Sequence, residues 1–264
     1  MKAIQDIHVM TQNVVGQDQC SIHDQTYNLI ETPGGIVGTC PNCFKEKIDK
    51  ENQEIVNKAL ENHKGWQIPY IDRFERVSSD LKDAKVNTYK PNHESQEQAK
   101  KLTIDYIKSF DKKKSLVLSG SPGLGKSHLA YAITKALRLR GYKTWFIKTT
   151  ELLDLFKSTY QNGAQLTEDR IFELIRTIDL LVLDDVGSEY VKTNESGHET
   201  WASDILYKAF DLRLNQAIVC TTNYSEKELE RKYGYNGERI ISRMMENAKA
   251  IRLQGEDRRR KNRF

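Results

Sequence analysis

GSPGLGKS, residues 120–127, sits between the apolar run 115–118 and the pattern HLAYAITKALRLR, so a G-x-x-x-x-G-K-[ST] loop joins a strand pattern to a helix pattern. Gly120, Gly123 and Gly125 let successive backbone N–H groups turn inward, where a Cβ would obstruct phosphate oxygens. Ser121, Pro122 and Leu124 fill the loop between them, and with His128 they complete the expected nucleotide-binding set. Lys126 supplies a point charge for the β- and γ-phosphates, and Ser127 a magnesium ligand. Beyond them Leu129, Ile133, Ala136 and Leu137 keep one helical stripe, which aims a helix N-terminus at the same phosphates. The expected ligand is a nucleoside triphosphate, ATP with ADP as its product, held with magnesium. A loop rich in glycine and serine can match this string by coincidence, so the rest of the chain has to agree with it.

It does so at two further places. The fully apolar run 180–183 ends in Asp184 and Asp185. Such a run suits a central parallel strand, and a carboxylate at its C-terminal end lies on the sheet edge where α/β proteins bind ligands. Asp184 is therefore expected to share magnesium with Ser127, and Asp185 or Glu189 to position water. A third apolar run, 217–221, delivers Thr222 and Asn223 to the same edge, where Asn223 can orient the attacking water. GERIISRM, residues 237–244, then places Arg239 and Arg243 one helical turn apart on one face. Either arginine can reach the γ-phosphate held by a neighbouring subunit, or serve as an ordinary salt-bridged surface residue.

The order of these parts resembles an AAA+ ATPase and, more narrowly, the DnaC/DnaI family of replicative helicase loaders. The likeness is carried by IPYIDRF (68–74), GSPGLGKSHLAYAI (120–133), LVLDDVGSE (181–189) and GERIISRM (237–244), and extends over about residues 65–253. It implies Arg243 as an arginine finger acting in trans, and Asn223 as the first sensor. Many AAA+ members have Glu after the Walker B Asp, whereas this chain has Asp185, a methylene shorter. Either Asp185 polarises water less directly or Glu189 contributes, and slow, switch-like hydrolysis is expected. The second sensor has two candidates, Arg252 and Arg258.

The amino-terminal segment carries a separate signal. Cys20 and His23 form C-x-x-H, Cys40 and Cys43 form C-x-x-C, and the spacer 24–39 contains Pro33, Gly34, Gly35 and Gly38. Two such knuckles let tight turns converge on one zinc ion, and four ligands close the site, so the metal is structural. A disulfide or a set of free thiols are the competing readings. Cys220 lies inside an apolar run and reads as core packing. The segment has few large apolar groups and cannot bury much core, so zinc is expected to supply its stability. Within residues 1–40, Asp6, Asp18, Asp24 and Glu31 outnumber Lys2, which favours a protein partner over nucleic acid. The family resemblance implies that this partner is the hexameric replicative DNA helicase.

A charged helix with Ile48, Ile55, Val56, Ala59 and Leu60 loosely periodic is expected over 44–64, broken by Gly65. Two domains follow: 1–64, zinc-binding and helicase-facing, and 65–264, an AAA+ ATPase with a loose lead-in arm (65–95), a helix at 95–110 and a basic C-terminal tail. Strands near 115–119, 143–147, 180–184, 217–221 and 249–253, alternating with helices, predict an α/β three-layer sandwich around a parallel sheet. Trp201, on a helix expected over 200–214, is read as core.

With 38% hydrophobic and 30% charged residues among 264, the chain reads as a soluble two-module protein of the bacterial cytoplasm, that of a free or a phage-infected cell, with no run of bilayer length and no membrane partner. A net charge of +4 is too small for strong nucleic-acid binding through the bulk field. Two local clusters stand out. The tail has Arg258, Arg259, Arg260, Lys261 and Arg263, which reads equally as a DNA contact or a solvated end. Residues 148–160 hold Lys148, Lys157 and Tyr160, and in the resembling family this region lines a pore for single-stranded DNA, although an ordinary half-exposed helix would look the same.

The expected function is ATP-dependent loading of a helicase ring onto single-stranded DNA during initiation of replication, coupled to self-association in ATP. Two rivals stay open. One is a transposition helper ATPase of the IstB type, the other an adaptor that binds ATP without hydrolysing it.

Overall fold

The computed structural model describes residues 14–161, 166–190 and 201–258, the side chains of 55–64 excepted. The chain forms two compact units, Met1–Trp66 and Gln67–Phe264. In the first, strands β1 (Val14–Gln19), β2 (Thr26–Thr32) and β3 (Gly35–Val37) make an antiparallel meander with Gln19 opposite Thr26 and Ile30 opposite Val37. Helix α1 (Pro41–Gly65) follows, three residues earlier than expected. Its start is set by Pro41, whose missing N–H costs nothing in a first turn and whose φ is already helical. Among the described residues of this unit only Cys20 and Cys40 are buried. The sequence reading did not place these strands: VVGQDQ exposes every residue but Gly16, and TYNLIET alternates only over Thr26–Leu29, too short a stretch to stand out, with its apolar residues no more than half-buried.

The second unit opens with α2 (Gln67–Phe74), α3 (Ser79–Lys82) and α4 (Glu94–Lys108). Then come β4 (Ser115–Gly120), α5 (Lys126–Arg138), β5 (Thr144–Lys148), α6 (Thr149–Ser158), α7 (Glu168–Thr177) and β6 (Leu180–Val186). The unit closes with α8 (Trp201–Asp211), β7 (Ile218–Thr222), α9 (Glu226–Tyr233), α10 (Gly237–Met245) and β8 (Ala248–Leu253). The strands pair in the order β5-β6-β7-β4-β8, each neighbour parallel to the next. All five expected strands are present. Helix α5 packs on β5, β6 and β7 and touches α4, forming one outer layer. Helix α6 packs on β5 and β6, and α10 meets α8, α9, β4 and β8; the right-handed rule for connections between parallel strands assigns these helices to the opposite layer. The expected three-layer sandwich is the observed fold.

This order decides where the site can be. Strands β6, β7 and β4 are neighbours, so the residues at their carboxyl ends, Asp184, Asn223 and Gly120, converge at one edge although they are far apart in sequence. The strands that carry them are buried on both faces, β7 throughout and β6 at every position but Asp185.

Two expectations differ from the structure. The arm 65–95 is not loose. It contains α2 and α3, and its Tyr89 is 1% exposed, with the hydroxyl donating to Leu124 O at 2.8 Å. Burial pushes that hydroxyl up to about 12, which keeps it a donor. Trp201 is not core but half-buried, and its indole N–H donates to Tyr160 Oη at 3.0 Å.

Candidate functional site

The loop 120–127 lines a cavity of about 370 Å³. Gly120, Gly123 and Gly125 adopt φ of 131°, 78° and 82°, a region that side chains rarely enter. A Cβ on Gly120 would strike Leu253 O, and one on Gly125 the ring of Tyr89, so these glycines allow close approach as well as the turn. Helix α5 starts at Lys126 with Gly125 as its cap, so its first N–H groups are left to whatever the loop holds. Pro122, Gly123, Gly125, Lys126, Ser127 and His128 line the cavity, while Gly120 and Ser121 contribute carbonyls behind it. Leu124 is buried and turns its carbonyl to Tyr89.

Lys126 is 6% exposed. Its ammonium donates to Gly120 O at 2.7 Å, Ser121 O at 2.8 Å and Asn223 Oδ1 at 2.8 Å. Asn223 in turn donates from Nδ2 to Asp185 Oδ1 at 2.8 Å. Lysine, asparagine and aspartate thus form one chain across the ends of α5, β7 and β6. Asp184 is almost fully buried and accepts from Thr221 Oγ1 at 2.6 Å. Burial raises its carboxyl above the ordinary range, opposed by hydrogen bonds from Thr221 and Ser127, and assisted by the charge of Asp185. Ser127 and Asp184 line the same cavity, an arrangement compatible with a shared magnesium ion.

The two acids expected to compete for the water-positioning role lie in different surroundings. Asp185 lines the cavity. Glu189 does not: it is 2% exposed, accepts Gly187 N–H at 3.0 Å on Oε2, and takes the Tyr233 hydroxyl on Oε1. Of the two, only Asp185 borders the cavity.

Arg239 and Arg243 do not reach this cavity. With Tyr207, Glu238 and Ser242 they line another, of about 220 Å³. Arg239 stacks on Tyr207 at 4.0 Å and donates to its hydroxyl at 2.7 Å, while Arg243 Nε donates to Asp211 at 3.0 Å. Neither belongs to the set that faces this chain's own nucleotide site. Of the two second-sensor candidates, Arg258 lines the nucleotide cavity, stacked 4.3 Å over Tyr89, and Arg252 lines a different one beside β8. Arg259, Arg260, Lys261 and Arg263 lie outside the described residues.

Sequence reasoning missed several lining groups. Ser78, Asp80 and Leu81 come from the lead-in arm, Lys148 from the end of β5, and Thr221 from within an apolar strand. Only Lys148, a cation ending an apolar run, left a signal that could have been used.

In the first unit, Cys20, His23, Cys40 and Cys43 bring one ligand atom each within 4.8 Å of one another. Cys20 Sγ is 3.5 Å from Cys43 Sγ and 3.7 Å from His23 Nδ1, and Cys43 Sγ is 3.3 Å from the same nitrogen. A tetrahedral ion with metal–sulfur bonds of about 2.3 Å needs ligand separations close to these. Backbone N–H groups of Ile22 and His23 are directed at Cys20 Sγ, which is how a tight turn presents a thiolate. Nε2 of His23 meets Glu46 Oε1 at 3.0 Å, the outer partner that fixes a metal-binding imidazole with Nδ1 facing inward. The four residues fit a closed structural zinc site. None of the described cysteines is in a disulfide.

Comparison with known proteins gives the same picture. The family of IstB-like ATP binding proteins matches residues 70–264. The chain is similar to the replicative helicase loader DnaC of Buchnera aphidicola subsp. Acyrthosiphon pisum, 29% identical over 202 residues, which is 75% of this chain and 74% of that protein. It is similar to the replicative helicase loader DnaI of Bacillus subtilis, 28% identical over 170 residues, 59% of this chain and 51% of that protein. A crystal structure of the DnaC helicase loader aligns with a TM-score of 0.57 at 25% identity, covering 67% of this chain and all of that one (100%).

Proposed function

The chain belongs to the family of IstB-like ATP binding proteins, and from that premise we propose that it is an ATP-dependent loader, which grips a hexameric replicative DNA helicase and delivers it onto single-stranded DNA. The observation that carries this reading is the convergence of Lys126, Ser127, Asp184, Asp185 and Asn223 on one cavity at the sheet edge. The loader names of its relatives support the replication role.

In this reading Lys126 and the loop amides stabilise charge on the phosphates of the substrate, and Ser127 with Asp184 holds magnesium. Magnesium, when bound, neutralises charge on the phosphate oxygens. Asp185 polarises the attacking water, Asn223 orients it, and Arg243 answers from the next subunit when copies associate in ATP. The contact between Lys126 and Asn223 suits a slow switch, because the lysine that must meet a phosphate is held by the residue that also holds Asp185. The four-ligand knuckle supports a zinc-stabilised first unit as the helicase-binding part. Ile22, Ile36, Val37 and Phe44 are exposed there, apolar surface suited to a protein partner. Lys157 and Tyr160 are the proposed contacts to single-stranded DNA. The loader acts in the bacterial cytoplasm. Among the described residues no helix is long and apolar enough to cross a membrane.

One second reading stays open, a transposition helper of the IstB type, since the matching family is named for IstB-like ATP binding proteins. Co-purification of the full chain with replicative helicases, in ATP and in ADP, separates the two. Capture of a helicase in ATP and its release in ADP is expected; capture of a transposase instead would move the assignment. Phosphate release above background, with and without single-stranded DNA, excludes an adaptor that only binds ATP.

A further inference from the structure

Thr221 makes two hydrogen bonds through one hydroxyl, and both go to neighbouring acids. Its Oγ1 lies 2.8 Å from Asp185 N and 2.6 Å from Asp184 Oδ1. A backbone N–H can only donate, so the hydroxyl accepts from Asp185 and must spend its single proton on Asp184. We propose that Thr221 is a positioning residue for the magnesium-dependent step, holding Asp184 and Asp185 in register with each other through this one oxygen. The inference rests on the ATP reading given above and goes one residue deeper into the same site.

Strand pairing explains why a side chain is needed at this point. Strands β6 and β7 run in register through Leu183 opposite Cys220 and are paired again at Val186 opposite Thr222, so the ladder is broken at Asp184 and Asp185. Asp185 has φ 60°, a left-handed backbone rare outside glycine, and its N–H is turned out of the ladder. The hydroxyl of Thr221 takes the place of the missing ladder carbonyl. Thr222 repeats the device one step on, donating to Val186 O at 2.6 Å and accepting Tyr224 N–H at 3.1 Å. Thr221 is 1% exposed yet borders the cavity, so its hydroxyl is sheltered from water while its partners face the ligand. Its methyl and hydroxyl share one stiff rotamer choice, which fixes the direction of both bonds.

The test is binding of a fluorescent ATP analogue to the full chain, titrated with magnesium chloride, for the native protein and for Thr221→Val, Thr221→Ala and Thr221→Ser. Valine keeps the shape and deletes the hydroxyl. Binding without magnesium should stay within about twofold in all four. The valine and alanine variants should need about tenfold more magnesium for the same enhancement, the usual effect of losing an outer partner of a metal ligand, while serine stays near the native value. A valine or alanine variant with native magnesium dependence overturns the proposal. If valine does not fold, judged by thermal unfolding without nucleotide, alanine carries the comparison. If neither folds, the hydroxyl serves the fold and not the acids, which also overturns it. A native chain that binds no adenine nucleotide would sink the ATP reading itself and this inference with it, a failure distinguishable from the others.

Discussion

The two units of this chain are held together by opposite means. In the second, β6 and β7 bury Leu180 to Leu183 and Ile218 to Cys220 completely or nearly so, and each large aliphatic side chain removed from water contributes about 1.5–3 kcal/mol. In the first, the described strands leave Val14, Val15, Ile36 and Val37 in solvent, and the residues that are buried are Cys20 and Cys40. One unit has a core and places its chemistry at the rim of that core. The other has a Cys/His cluster that fits a metal ion where a core would be, and a structural metal is the usual remedy for a segment too short to bury one. The lesson is that the same chain separates stability from ligand binding in one unit and unites them in the other, so removing each ligand should have different consequences.

The largest effect should come from the metal. Stripping zinc with a selective chelator, or replacing Cys40 with Ser, should abolish amide-exchange protection in 14–54, since structural zinc contributes about 10 kcal/mol or more to small domains of this kind. Protection of the central strands β4, β6 and β7 should be untouched. A first unit that stays protected without metal would break the contrast. Next is Lys126→Ala, expected to weaken ATP binding at least about a hundredfold, because the amides alone leave phosphate charge unanswered. Zinc content, read by a colorimetric chelator, should remain one ion per chain. Loss of zinc along with nucleotide would mean that the units are not independent.

Arg243→Ala should act more narrowly still. Hydrolysis by the assembled protein should fall about a hundredfold, while binding of ATP to the isolated chain changes less than about twofold, as expected of a group that acts on a neighbour's phosphate. Equal loss in both would place Arg243 in its own chain's site. Tyr89→Phe is the smallest. It deletes the hydroxyl that meets Leu124 O and should cost about 1 kcal/mol, seen as a fall of about 2–4 °C in the melting temperature of the second unit alone.

How much of this was legible in the sequence follows the same division. Strands buried on both faces read as unbroken apolar runs, so β4, β6 and β7 and the residues at their ends could be located before any coordinates. A C-x-x-H and C-x-x-C pair announces itself by spacing, which is why the Cys20, His23, Cys40 and Cys43 cluster was legible while the three strands between and around it were not. Tyr89 was missed because its partner, the phosphate loop, is distant in sequence and a tyrosine in a polar stretch carries no period. Thr221 was missed for the opposite reason: inside an apolar strand it looks like filler, and only the break in the β6–β7 ladder turns its hydroxyl into a functional group. Glu189 seemed equivalent to Asp185 until Tyr233 and Gly187 were seen to hold it away from the cavity.

Native mass spectrometry of the full chain with a candidate replicative helicase, in ATP and then in ADP, measures zinc, nucleotide and copy number in a single spectrum. The expected result is one zinc per chain in both, with bound nucleotide and a loader–helicase complex that persists in ATP and dissociates in ADP. Chains that carry zinc but take up no adenine nucleotide, or complexes indifferent to which nucleotide is present, would contradict the claim that occupancy of the sheet-edge site governs assembly.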